Sequence, residues 1–265
     1  MIKVKSLFRY PVKSLGREAL GSVDVKDYGL EYDRKWMLVN ADNQMLTQRK
    51  LPHLTKLNAG VSDNILTIYN KEDEDSINIP VSEIMSDSVA TSIWGTEISP
   101  SQVSKRANEW LSDQLNEQIS LVGAGENFER SRVVGVDTVP LLFADGYPIL
   151  ILSQASVDYL NEKLDNPVDE SRFRANILID GCPAHSEDLS AKMTLRDLTL
   201  ELIKPCKRCI MINTNQDSGE VSKEPLKTLS TYRAKNNNIL FGMNARALKN
   251  GHISINETIT IDLKT

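Results

Sequence analysis

Cys206 and Cys209 stand two residues apart in Lys204-Pro-Cys-Lys-Arg-Cys-Ile210. Two thiols at that spacing can serve several chemistries. They can supply half of a structural zinc site, which takes four ligands and often a second such pair or paired histidines; Cys182, His53, His185 and His252 stand isolated. They can form a redox pair, which belongs between a strand and a helix N-terminus. Here a strand-like run precedes the pair, but Ile210-Met-Ile-Asn-Thr214 also reads as strand. They can be two partly buried thiols in a β-hairpin. Lys204, Lys207 and Arg208 favour a nearby thiolate, which is both a nucleophile and a ligand for a soft, high-valent metal. The segment suits a reactive cysteine or a metal ligand, and spacing does not choose between them.

Other basic residues lie in turn-like places. Tyr10-Pro-Val-Lys-Ser14 reads as a strand exit whose Lys13 and Ser14 can bind an anion. Tyr32-Asp-Arg-Lys-Trp36 puts Arg34 beside a strand start, and Arg172-Phe-Arg-Ala-Asn176 precedes an apolar strand. A period of two sets Arg174 and Asn176 on one side of that strand. Each residue alone reads as a surface charge. Together they can make a cationic pocket for a phosphate-bearing cofactor, though sequence spacing does not show that they converge. Cys182, in Asp180-Gly-Cys-Pro183, reads as a packed turn residue, and the three histidines lack a base-like pairing.

Short strands must position these groups. Lys3 to Phe8 alternates polar and apolar, and Trp36 to Val39 and Ile65 to Tyr69 are apolar or β-branched. The acidic run Lys71 to Asp75 reads as a solvated hairpin tip. After Ser99-Pro100, Val103, Ala107, Trp110, Leu111 and Leu115 share a helical face. Ser153 caps a second helix bearing Val157, Leu160 and Leu164. Strands resume at Ile177 to Ile179, Leu198 to Ile203 and Ile255 to Leu263, with a short helix opened by Glu224-Pro-Leu226. A seam falls between Trp94 and Gly125. The pattern is mainly β with a few helices, a β-rich α+β class.

The 265 residues allow one large domain or two modest ones. Lys and Arg number 31 against 36 Asp and Glu, a net charge of −5, which argues against nucleic acid as the main partner. No apolar run reaches the roughly 18 residues of a membrane helix. The N-terminus does not read as a signal core, so a cytoplasmic protein without a membrane association is expected. Three cysteines in such a compartment do not suggest a disulfide framework.

In order and spacing, these segments resemble the molybdenum cofactor sulfurase C-terminal (MOSC) family. The subgroup is the one with a β-rich N-terminal companion, which includes the mitochondrial amidoxime-reducing component and similar bacterial proteins. The resemblance runs from Tyr10-Pro-Val-Lys-Ser14 and Asp33-Arg-Lys-Trp36 through Pro148-Ile-Leu-Ile-Leu-Ser-Gln-Ala-Ser156 and Phe173-Arg-Ala-Asn-Ile177. It ends with Cys206-Lys-Arg-Cys209, Asn215-Gln-Asp-Ser-Gly219 and Leu240-Phe-Gly242. It implies an N-terminal β-barrel domain over residues 1–122 and a MOSC β-barrel domain over 123–265, with a molybdenum cofactor between them. It implies Cys206 as the thiolate on molybdenum, and Lys13, Ser14, Arg34, Arg174 and Asn176 as cofactor contacts, with Tyr147 and Arg208 beside them. Gly146-Tyr147 replaces the Thr-Ser pair of the eukaryotic pattern; backbone N–H groups or Tyr147 would serve instead.

The function this implies is a molybdenum-dependent, detoxifying reductase of N-hydroxylated compounds: hydroxylaminopurines, amidoximes or hydroxylamines. Cys209 is expected in a structural or supporting role. Pyridoxal phosphate is not expected. No G-x-G-x-x-G fingerprint or flavin signature is present, and the chain ends soon after its last strand without cysteines for an iron–sulfur centre. Electrons are therefore expected from a separate flavin, iron–sulfur or haem protein. The alternative is a sulfur carrier or cofactor-delivery protein with a persulfide on Cys206; a third reading is a domain that stores the cofactor.

Overall fold

The computed structural model describes residues 1–85 and 87–264. Twenty-two strands and three α-helices run along them, a β-rich α+β fold. The largest sheet has nine strands. Its order is Glu18–Leu20, Lys3–Arg9, Ile177–Asp180, Ile149–Ser153, Asn238–Lys249, Leu198–Arg208, Ser190–Leu195 and Thr260–Leu263, with Ala234–Lys235 on the side of Asn238–Lys249.

Alternation explains how this sheet is buried on both faces. Leu7, Ile151, Ile177 and Ile179 face one core, and their neighbours Phe8, Leu152 and Leu178 face another. Ile149–Ser153 and Ile177–Asp180 are parallel, and the connection between them holds helix α1, Gln154–Asn161. Its cap is the expected Ser153, whose hydroxyl accepts from Ser156 N at 3.1 Å. Val157 and Leu160 pack it on the sheet, while Leu164 lies past its end.

A third core lies between two three-stranded sheets. One is Leu57–Ser62, Ile65–Asn70 and Ser76–Pro80; the other is Ser101–Gln102, Ile119–Gly123 and Trp36–Asn40. Lys105–Leu115 is the helix read from the sequence, and it seals this core with Ala107, Leu111 and Leu115. Burying each of the two leucines contributes about 1.5–3 kcal/mol.

Three expectations change. In place of closed barrels, the ladders among the described residues end on free edges, Glu18–Leu20 and Thr260–Leu263 in the large sheet. Most strands are short, and Leu198–Arg208 bends at three register shifts, which curl the sheet without closing it. Ile210–Asn213 is a 3₁₀ turn rather than a strand, because Ile212 folds back into the core beside Phe173. Ile255 to Leu263 likewise turns before the strand Thr260–Leu263.

The first 30 residues cross the molecule. Lys3–Arg9 pairs with Ile177–Asp180 and Ser22–Lys26 with Gly251–Ser254. Val4, Val23, Val25 and Leu30 thus pack in the core made by the C-terminal strands. Among the described residues no helix is long and apolar enough to cross a membrane.

Candidate functional site

A cavity of about 260 Å³ opens where these elements meet. Lys13, Ser14, Arg34, Tyr147, Arg174, Asn176, Cys206 and Arg208, all singled out from the sequence, line it together. They come from five separate segments, stitched by backbone bonds. Lys13 N donates to Trp36 O and Arg34 N to Tyr10 O, each at 2.8 Å; Phe143 N donates to Arg34 O at 2.9 Å.

Four of the lining residues adopt left-handed backbone conformations: Ser14 at φ 70°, Arg34 at 48°, Trp94 at 51° and Arg174 at 54°. Non-glycine residues rarely do so, and such positions cluster at binding sites. Arg174 closes the 3₁₀ turn Glu170–Phe173 and is not part of a strand. A left-handed turn, and not a strand period of two, therefore brings it beside Asn176.

Tyr10 is the floor of the cationic wall. Its ring is buried, with the Arg174 guanidinium 4.2 Å and the Arg34 guanidinium 4.4 Å from its centroid. Cation–π attraction holds two like charges on one ring. Arg34 is fixed further by Asp33, by Asn176 Oδ1 at 3.1 Å and by Arg174 O at 3.2 Å. Burial takes Arg174 down to about 10, against the pull of Tyr10 and with the like charge of Arg34 adding to it, so it stays charged at neutral pH. Arg174 Nη1 donates to Leu15 O at 2.8 Å.

Asn176 uses both ends of its amide on the frame. Oδ1 takes Arg34 and Leu150 N, and Nδ2 donates to Phe8 O. Lys13 Nζ donates to Phe143 O at 2.9 Å and pairs with Asp145. Arg208 donates Nε to Phe241 O and Nη1 to Phe173 O, while its buried Nη2 has no partner. Beside it Gly242, at φ 75°, keeps the chain close: a side chain there would meet Ile151 O at 2.9 Å.

The thiols differ from expectation. Burial pushes the Cys206 thiol up, Arg208 pulls it back only in part, and Asp145 and Cys209 add to the rise. Burial outweighs the one basic neighbour that acts on the thiol, Arg208, and Lys204 lies over the Tyr147 ring, 5.1 Å from its centroid. A bound metal cation would reverse that balance. Cys209 is exposed and lines the same cavity.

Sequence reasoning missed Arg49, Trp94, Asp145 and Arg172, which also line it. Asp145 is the one carboxylate among the described lining residues. Burial would raise its pKa, but Lys13, Trp94 and Arg49 outweigh burial and hold it well below the usual carboxylate range. The Asp145-Gly146 turn next to Tyr147 was the available signal. Away from the cavity, His252 pairs with Asp24 at 2.9 Å, a pairing the sequence had not suggested.

The donor set fits a phosphate-bearing cofactor with a soft metal. The wall holds Lys13, Arg34, Arg49, Arg172, Arg174, Lys207 and Arg208 against one carboxylate. Arg208 Nη2 is a buried donor without an acceptor, and two thiols face the same space.

Comparison with known proteins agrees with this chemistry. The family model described as the MOSC N-terminal beta barrel domain matches residues 1–118, and the MOSC domain matches residues 138–260. The chain is 32% identical over 264 residues to molybdenum cofactor sulfurase of Oryza sativa subsp. japonica, covering 91% of this chain and 32% of that protein. It thus spans about a third of the rice protein's length. It is 30% identical over 244 residues to mitochondrial amidoxime-reducing component 1 of Mus musculus, covering 87% of this chain and 71% of the mouse protein. For the Homo sapiens protein of that name the identity is 29% over 242 residues, with 87% and 72% covered. With both matches in their expected order along it, the chain belongs to the MOSC-domain family, in the group that carries a MOSC N-terminal domain.

Proposed function

We propose that this protein is a molybdenum-cofactor-dependent reductase of N-hydroxylated compounds. The observation that carries the reading is one cavity in which a partly buried thiol, Cys206, faces a wall of arginines and lysines. When bound, the cofactor would supply the two-electron chemistry that converts an N–OH group, with two protons, into an amine and water. Cys206 would hold the metal through Sγ. Arg34, Arg174 and Arg208 would bind the anionic end of the cofactor, with Arg208 Nη2 finding there the acceptor it lacks. Ser14 and Tyr147 would add contacts at the rim. Asn176 acts on the group through Arg34, whose guanidinium it aims. Lys13, neutralised by Asp145 on one side, keeps an ammonium at the wall that can hold a departing oxygen.

Electrons would come from a separate electron-transfer protein carrying flavin, iron–sulfur or haem. We assign the protein to the cytoplasm, where free thiols such as Cys206 and Cys209 stay reduced. The identity with the rice sulfurase favours a second reading, a sulfur carrier with a persulfide on Cys206.

One experiment separates the two. Protein from a molybdenum-replete host is assayed for metal, pterin and cyanide-releasable sulfur, then for turnover of an aryl amidoxime with reduced viologen. Stoichiometric molybdenum and pterin with turnover is the expected result. Releasable sulfur without metal or turnover would establish the carrier instead.

A further inference from the structure

We propose that Trp94, backed by Arg49, is a flat stacking wall that selects planar, π-conjugated N-hydroxylated substrates over saturated ones. This rests on the reading of the cavity as a site for N-hydroxylated compounds, and adds to it the residue that sets the substrate class.

Trp94 is in the wrong place for a residue with only a structural task. Trp94 and Gly95 form the two-residue turn between Thr91–Ile93 and Thr96–Ile98, at φ 51° and 83°. A turn with two positive φ angles favours Asn-Gly, and a bulky aromatic in its first position is strained. Burial does not compensate, since Trp94 is 48% exposed. Turn chemistry and core packing both argue for a small polar residue there. An unfavourable backbone that persists at a cavity wall points to use of the side chain.

The indole is aimed and held. Its Nε1 donates to Asp145 Oδ1 at 2.9 Å. The Arg49 guanidinium lies 4.2 Å from the ring centroid and the Lys13 ammonium 5.9 Å. Indole and guanidinium are both planar, and both stack on conjugated ligands. The bonds from Lys13 and Trp94 both fall on Asp145 Oδ1. Oδ2 takes neither, and the carboxylate is kept ionised. It is an acceptor for the N–H edge that amidine-type and aminopurine-type groups carry in their own plane. A saturated hydroxylamine has no flat face to stack and no such edge. One short hairpin thus offers a face and, through Asp145, an edge contact, on the cavity that also holds Cys206.

The test compares the parent with Trp94→Phe and Trp94→Leu, using reduced viologen as donor. Substrates are an aryl amidoxime, 6-hydroxylaminopurine and a saturated cyclic hydroxylamine. For Trp94→Leu, the ratio of KM for the planar compounds to KM for the saturated one rises about tenfold, while Trp94→Phe keeps most of the parent's ratio. A second readout needs no turnover: benzamidine is titrated into the protein without reductant while indole fluorescence is followed. Saturable quenching is expected in the parent and is lost in Trp94→Phe, although Trp36 and Trp110 remain. An unchanged KM ratio in Trp94→Leu, or quenching that survives in Trp94→Phe, overturns the proposal. If the parent reduces none of the three substrates yet shows Trp94-dependent quenching, the wall stands and the reductase reading falls.

Discussion

Arg34 Nη1 donates to Asn176 Oδ1 at 3.1 Å, tying the turn before Trp36 to the turn before Ile177. Asn176 is 1% exposed, and its other bonds go to Leu150 N and Phe8 O. One amide therefore sets the orientation of a cationic side chain and joins segments far apart in sequence.

Asn176→Ala leaves several buried partners unsatisfied. The expected destabilisation is about 1–3 kcal/mol. Thermal melting then falls by roughly 2–4 °C per kcal/mol for a chain of this size. Asn176→Ala melting with the parent would show that the frame does not depend on this amide.

Cys206→Ala is expected to abolish reduction of N-hydroxylated compounds while circular dichroism and melting stay close to the parent. Cys209 is exposed, so Cys209→Ala should retain activity. The opposite pattern, a silent Cys206→Ala and a dead Cys209→Ala, would assign the metal to the second thiol.

Arg174→Ala should loosen the cofactor more than the fold. Removing a charged, desolvated donor from an anion costs about 2–3 kcal/mol, on the order of a hundredfold in affinity at the upper end. Pterin retained after dialysis, measured by fluorescence beside a thermal melt, checks this. Equal retention in variant and parent would remove Arg174 from the anchoring set.

Glu187 carries the pH prediction. Its carboxyl is buried at the start of helix α1, with Oε1 accepting from Ser156 Oγ at 2.8 Å and Oε2 unpartnered. Burial raises its pKa, and bonds from Ser156 and Ser153 offset that only in part. The folded protein thus holds this proton more tightly than the unfolded chain does. Its contribution is full below the unfolded pKa and is lost as pH rises through the folded one. Stability of the parent should decline across the range just above ordinary carboxylate values, and Glu187→Gln should flatten that decline. Parallel urea-stability curves for the two proteins between pH 4 and 7 would refute the assignment.

The sequence by itself determined many of the elements, though not the turn at Ile210–Asn213, and the chemical types. Alternation in Lys3 to Phe8, the cap at Ser153 and the spacing of Ala107, Leu111 and Leu115 are short-range signals, and each became the element it announced. The cationic residues and the thiol pair were legible as composition in ordered motifs. Tertiary structure alone decided how they act. Cys206 has a raised pKa because desolvation sums over distant neighbours, which outweighs the pull of Arg208 beside it in the chain. Arg174 and Asn176 meet through a left-handed turn that no strand period encodes. Trp94 and Asp145 carried no periodic signal, being single residues in turns, and only long-range pairing set them on the same wall. Local pattern reports what a segment buries. Register, burial and charge coupling depend on which segments lie opposite, and at this site some of those lie more than a hundred residues apart, as with Arg34 and Asn176.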